Sequence, residues 1–135
     1  MATTIYERIF RKLERVIGDL SDIPAYMKFV AHGFMDLSLD RLYGDEESVT
    51  IALSHYFKQN GDMVPDPDME VRIYPEMKMA EALTYQDSFG YRQVHPTPGQ
   101  VNLKAKKDLN VFLNQWLSNI LNQGFERSGG KDDEL

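Results

Sequence analysis

Three histidines, an arginine–glutamate pair and a run of acids are the side chains in this sequence best suited to chemistry. His55 shares a strand face with Ile51, Leu53 and Phe57, which aims it into the core, where a buried imidazole is normally hydrogen-bonded. His32 falls on the opposite phase when its strand is read back from Met35, so the two rings converge on a metal or a proton only if a bulge at Gly33 reverses its face, and a surface His32 is expected. His95 precedes Pro96 and reads as a loop residue. The placement of Glu81 depends on one turn. A two-residue Pro75-Glu76 loop sets Arg72 opposite Met79 and points Glu81 away from the core. A three-residue loop sets Val71 opposite Glu81, where desolvation would raise its pKa and make it a candidate general base. The outward reading is preferred, because Lys78 at the inner rim can snorkel whereas a buried carboxylate is costly.

Asp62, Asp66, Asp68 and Glu70 alternate as oxygen ligands for a hard cation would. They lack the glycine and distal glutamate of a calcium loop, and Pro65 and Pro67 stiffen the segment, so a solvated acidic turn is expected. No metal and no cofactor is expected. The sequence contains no glycine-rich phosphate loop, no Gly-x-Ser-x-Gly elbow and no His-Glu-x-x-His pair.

With Glu81 outward, the residues Arg72, Tyr74, Met77, Met79, Leu83 and Tyr85 line the sheet face away from the helices. This surface is too apolar for plain solvation, and such surfaces meet partners. The competing reading has the segment 87–100, with Phe89 and Tyr91, folding back over it. Lys104, Lys106 and Lys107 open the last helix, where the dipole disfavours cations; they read as a solvated turn or a contact for an acidic partner.

The elements that must position these residues follow from periodicity. Thr4 and Glu7 have capping-box spacing, and Ile5, Ile9, Leu13, Val16 and Leu20 begin an apolar helical stripe that Pro24 ends. Alternation from Met27 to Tyr43 predicts a strand, with a bulge near Gly33 reconciling two phases. A second strand runs through Val49–Phe57 to an Asn60-Gly61 reversal. Pro65 and Pro67 are expected to stay out of the ladder; strands from Met69 to Tyr74 and from Met77 to Gln86 follow, with a short edge strand at Tyr91–Val94. Leu109, Phe112, Leu113, Trp116, Leu117, Ile120 and Leu121 make the closing helix, with Gly124 as its cap and core packing as the role of Phe112 and Trp116. The expected architecture is α+β: a helix, a four- to five-stranded antiparallel meander and a second helix, both helices on one face, as a two-layer sandwich.

The chain has 135 residues, a formal net charge of −6 and no cysteine. A single domain over 1–126 and a flexible acidic tail over 127–135 are expected. Thiolate zinc sites, disulfides and cysteine nucleophiles are excluded. The charge and the lack of a basic stripe argue against nucleic-acid binding. No apolar run is long enough to span a membrane, and charges from Glu7 to Arg15 break up any secretory or transit signal, so a cytoplasmic protein is expected. The closing Lys131-Asp132-Asp133-Glu134-Leu135 is similar to a retrieval signal of the endoplasmic reticulum, but reads as tail.

Three strings occur in order: Met69-Glu70-Val71-Arg72-Ile73-Tyr74, then Met79-Ala80-Glu81, then Leu109-Asn110-Val111-Phe112-Leu113-Asn114-Gln115-Trp116-Leu117. Together they resemble the YqiB-like family of uncharacterised proteobacterial proteins over the last half of the chain. The resemblance implies a small bacterial cytoplasmic protein and brings no activity and no residue role with it.

The function expected is a non-enzymatic binding or protein-interaction module using the open sheet face or an edge strand, as a homodimer or with a protein partner. The alternative is an enzyme or small-ligand binder with a cavity between helices and sheet. It would use His55 and Glu81, helped by Arg72 or a tyrosine, and requires Glu81 on the inner face within reach of His55.

Overall fold

The computed structural model describes residues 3–128. Helix α1 (Ile5–Ile17) starts with the expected capping box: the Thr4 hydroxyl accepts the Glu7 amide at 3.2 Å, and the Glu7 carboxylate accepts the Thr4 amide at 3.1 Å. Its buried stripe is Ile9, Phe10 and Leu13. Helix α2 (Leu103–Gln123) is capped by the Asn102 side chain, which accepts the Ala105 amide, and ends on left-handed Gly124. Leu109, Leu113, Trp116, Leu117 and Ile120 form its buried stripe. Each aliphatic side chain so buried contributes roughly 1.5–3 kcal/mol, so these stripes, not helix propensity, hold the helices down.

Between the helices the chain forms β1 (Tyr26–Val30), β2 (Leu37–Gly44), β3 (Val49–Gln59), β4 (Asp62–Tyr74), β5 (Met79–Ala82), β6 (Thr84–Asp87) and β7 (Gly90–Gln93); β8 (Glu126–Arg127) follows α2. All pairings are antiparallel, in the order β7-β6-β4-β3-β2-β1-β8, with β5 beside β4 as well. Consecutive strands neighbour one another, so the central part is a meander. Inner-face residues such as Phe29, Leu39, Leu53, Val71 and Ala82 join both helical stripes in one core, which places the helices on one face of an α+β two-layer fold. The helices run side by side in the same direction: Lys12 Nζ donates to Asn114 Oδ1 at 2.8 Å, and Lys106 Nζ lies 5.6 Å from the Tyr6 ring centre. No helix among the described residues is long and apolar enough to cross a membrane.

Four local expectations are corrected. The stretch from Met27 to Tyr43 is not one bulged strand: Gly33, at φ +84°, sits in the connection that folds it into the β1–β2 hairpin. Pro65 and Pro67 lie inside β4, because a register shift between Ser54 and Tyr56 loosens the ladder opposite them. The fourth expected strand is broken at Leu83 into β5 and β6, which pair with β4 in tandem. Finally, chain pairing extends past residue 126: Arg127 pairs with Phe29, and the Ser128 amide donates to the Lys28 carbonyl. The rest of the expected acidic tail, 129–135, lies outside the described residues.

Candidate functional site

The β4–β5 turn is the feature on which the site depends. Neither expected loop occurs. Pro75–Lys78 form a four-residue connection, with Lys78 at φ +55° and its amide directed to the Pro75 carbonyl. The ladder therefore pairs Arg72 with Glu81 and Tyr74 with Met79, not Arg72 with Met79. This is two residues away from the two-residue-loop register, so the faces stay as that register had them. Glu81 shares the outer face with Arg72, while Ala80 and Ala82 are fully buried beneath. Lys78 is in the exposed turn and does not reach an inner rim.

On that outer face a short network forms. Arg72 Nε donates to Ser48 Oγ at 2.9 Å, its Nη2 approaches Asp45 Oδ2 at 3.5 Å, and its guanidinium lies 5.3 Å from the Tyr74 ring centre. The Tyr74 hydroxyl donates to Glu81 Oε2 at 2.7 Å. Burial, then that bond to the carboxylate, pushes the Tyr74 phenol up to about 12. The Glu47 and Ser48 amides, with the Ser48 hydroxyl and Arg72, hold the Asp45 carboxyl below its ordinary value.

His55 stands on the other side of the sheet. Its Nδ1 is 3.0 Å from the Asp36 carbonyl, which can only accept, so Nδ1 carries a proton. The ring packs 5.6 Å from both Trp116 and Phe125. His55 and Glu81 therefore face opposite sides of β3–β5, and the cavity between helices and sheet that would use them together is ruled out. The physical reason is parity: Leu53 and Ala82 face inward, and Glu81, adjacent to Ala82, must face outward. His32 is exposed in the β1–β2 connection, and His95 is exposed with Nδ1 at the Gln100 carbonyl. Among the described residues no group of three or more His, Asp or Glu is placed to hold a metal ion, the Asp62–Glu70 stretch included. Asp68 there accepts the Tyr56 hydroxyl at 2.7 Å.

The expected interaction surface is partly assembled. Arg72, Tyr74 and Met79 are on the outer face, and Met77 is exposed in the turn. Tyr85 is not with them. The irregularity at Leu83 reverses the alternation, and the Tyr85 ring meets Phe112 of α2 edge-on at 5.2 Å. Leu83 itself is the half-buried residue at the break, its amide donating to the Glu70 carbonyl. The segment 87–100 does not fold over this surface as a lid: β7 extends the sheet beyond β6 instead.

Around the edge of β5 these side chains open into a recess of about 310 Å³, lined by Tyr6, Tyr74, Met77, Met79, Ala80, Glu81 and Lys106. The lining is mainly apolar, with one acid and one base, which is the usual make-up of a small-ligand site near the lower end of the size range. Tyr6, from α1, and Lys106, from α2, are additions that the sequence reading did not bring to this surface. Beside the recess, Asn110 is buried. Its Oδ1 accepts the Ala82 amide at 2.8 Å and its Nδ2 donates to the Lys106 carbonyl at 2.7 Å. The one available signal was a polar residue adjoining Leu109 on a helical face that is otherwise apolar.

A larger hollow of about 630 Å³ lies where three connections meet, lined by Asp22, Arg41, Tyr43, Asp45, Glu46 and Glu76 among others. Arg41 and Asp45 in its lining are already occupied locally. Arg41 donates to the Ile23 carbonyl at 2.8 Å, and Asp45 accepts the Glu47 and Ser48 amides that shape its own turn.

A family model described as Domain of unknown function (DUF6908) matches residues 4–126. The chain belongs to this family. The DUF6908 match begins at the Thr4 cap and ends in β8, so it takes in α1, the sheet, α2 and every residue of the recess. No curated protein and no solved structure matches the chain.

Proposed function

We infer that this protein is a non-enzymatic binding module whose recognition site is the recess at the β5 edge. The observation that carries the reading is the meeting of Tyr6, Tyr74, Met77 and Met79 around one concavity. Three of the four belong to a surface that is richer in aromatic and methionine side chains than solvation requires. The polar groups nearby are arranged to hold the wall in place: Arg72 fixes Tyr74 from above, and Tyr74 fixes Glu81. The YqiB-like resemblance supports a bacterial cytoplasmic setting for such a module, which fractionation of cells expressing the tagged protein tests.

Methyl spectra of protein labelled at methionine test the site. Met77 and Met79 line the recess, while Met27 and Met69 are buried in the core and serve as internal controls. A mixture of small aromatic fragments is expected to move the Met77 and Met79 signals saturably and leave Met27 and Met69 in place. Shifts confined to other methionines, or none at all, would count against the recess.

A second reading is self-association. β7 is an edge strand with all four residues exposed, and Phe89 in the turn before it is 96% exposed. An antiparallel pairing of two β7 edges would cover both Phe89 rings. Light scattering after size exclusion is expected to give twice the chain mass at high concentration; a monomer throughout removes this reading.

A further inference from the structure

We propose that the recess accepts an organic monoanion, a carboxylate carried on a short apolar body; this rests on the binding reading above and names its ligand class. The cation in the lining decides the sign. Lys106 Nζ is held 5.6 Å over the Tyr6 ring, a contact that positions an ammonium without neutralising it. Among the described residues, no carboxylate oxygen lies within 4.0 Å of it. Lys104, by contrast, is answered by Asp108 at 2.9 Å.

The position of these lysines also costs the helix something. The first turn of α2 holds no acidic residue, and cations there oppose the helix dipole. Helix stability thus gives no reason for Lys106, whereas an anion at the recess does. The acid in the lining is already served, since Glu81 accepts the Tyr74 hydroxyl at 2.7 Å and the Arg72 guanidinium stands over the same tyrosine ring. A second anionic group on the ligand would meet the Glu81 carboxylate in the lining, which is why a monoanion is specified. The apolar body lies against Tyr6, Met77 and Met79. The net charge of −6 does not oppose this, because exposed charges more than a Debye length away, about 8 Å at physiological salt, are largely screened.

Three probes of one shape separate the claims: 4-phenylbutyrate, its neutral amide and 4-phenylbutylamine, each titrated into the full chain while the methionine methyls are observed. The carboxylate is expected to shift Met77 and Met79 and to bind roughly tenfold more tightly than the amide, as one charge-assisted contact allows. In Lys106→Gln that preference is expected to vanish while the amide binds as before. Unchanged Met27 and Met69 signals show that the variant is folded. Equal binding of amide and carboxylate, tighter binding of the amine, or a preference that survives Lys106→Gln overturns the anion and leaves the recess standing as a binding site. If none of the three probes moves Met77 and Met79, the recess itself is lost and the proposal with it.

Discussion

Asn110 on α2 and Ala82 on β5 are joined through the strand's outward edge: the side-chain carbonyl accepts the Ala82 amide at 2.8 Å, with Asn110 only 1% exposed. The helix thereby covers a sheet edge that would otherwise leave an N–H without a partner next to the recess. Asn110→Leu keeps the volume but deletes the acceptor. Leaving that buried amide unsatisfied costs about 1–3 kcal/mol. Urea denaturation is expected to show this loss. An unchanged midpoint would mean that water or a shifted neighbour replaces Asn110.

The Tyr85–Phe112 contact, edge-on at 5.2 Å, places Tyr85 on the helix side although Glu81 faces away from it. Such aromatic pairs add about 0.5–1.5 kcal/mol beyond the area they bury. A double-mutant cycle with Tyr85→Leu and Phe112→Leu is expected to return a coupling in that range. Zero coupling would put Tyr85 back on the open face with Tyr74.

These two contacts show what periodicity could and could not reveal. The helical stripes and the facing of β3 were legible because burial repeats along one element: Ile51, Leu53 and His55 all turn inward as their spacing demands. The outward direction of Glu81 was legible too, since the four-residue turn preserves the parity of a two-residue one. The break at Leu83 was not, because nothing in Ala82-Leu83-Thr84 distinguishes a bulge from continued alternation. The pairing of Gln86 with Asp68, the Leu83 amide on the Glu70 carbonyl and the Tyr85–Phe112 contact fix it. The recess was half legible. Its strand residues belong to one stretch of sequence, whereas Tyr6 and Lys106 come from two distant helices whose side-by-side, same-direction packing no local pattern encodes.

His55 ties the β1–β2 connection to the core through its Nδ1–H and the Asp36 carbonyl, between the rings of Trp116 and Phe125. His55→Leu retains bulk and loses that bond. A net loss of about 0.5–1.5 kcal/mol is expected. Because Trp116 is the sole tryptophan, its emission reports the neighbourhood directly. His55 is not among the residues that line the recess at the β5 edge, so Met77 and Met79 methyl signals are expected to stay where they are. Movement of those signals in His55→Leu would show that the two regions are coupled.

Tyr56, Tyr74 and Tyr85 each donate to a carboxylate, of Asp68, Glu81 and Asp87 respectively. Burial first, then those bonds, pushes all three phenols up to about 12. A phenol whose pKa is raised on folding binds its proton more tightly in the native state. Its contribution to stability is therefore complete below the unfolded value near 10 and is lost as pH rises through about 12. Folding stability is thus expected to fall across that window and not to respond to these groups at neutral pH. In the native protein four of the seven tyrosines, these three and Tyr91, whose phenol burial also raises, should ionise late by ultraviolet difference absorbance, and the lag should disappear in denaturant. Tyr74→Phe should remove one late-titrating phenol and flatten the alkaline loss of stability. An unaltered late amplitude in that variant would show that Tyr74 is not held by Glu81 in solution, and the wall of the recess would need to be redrawn.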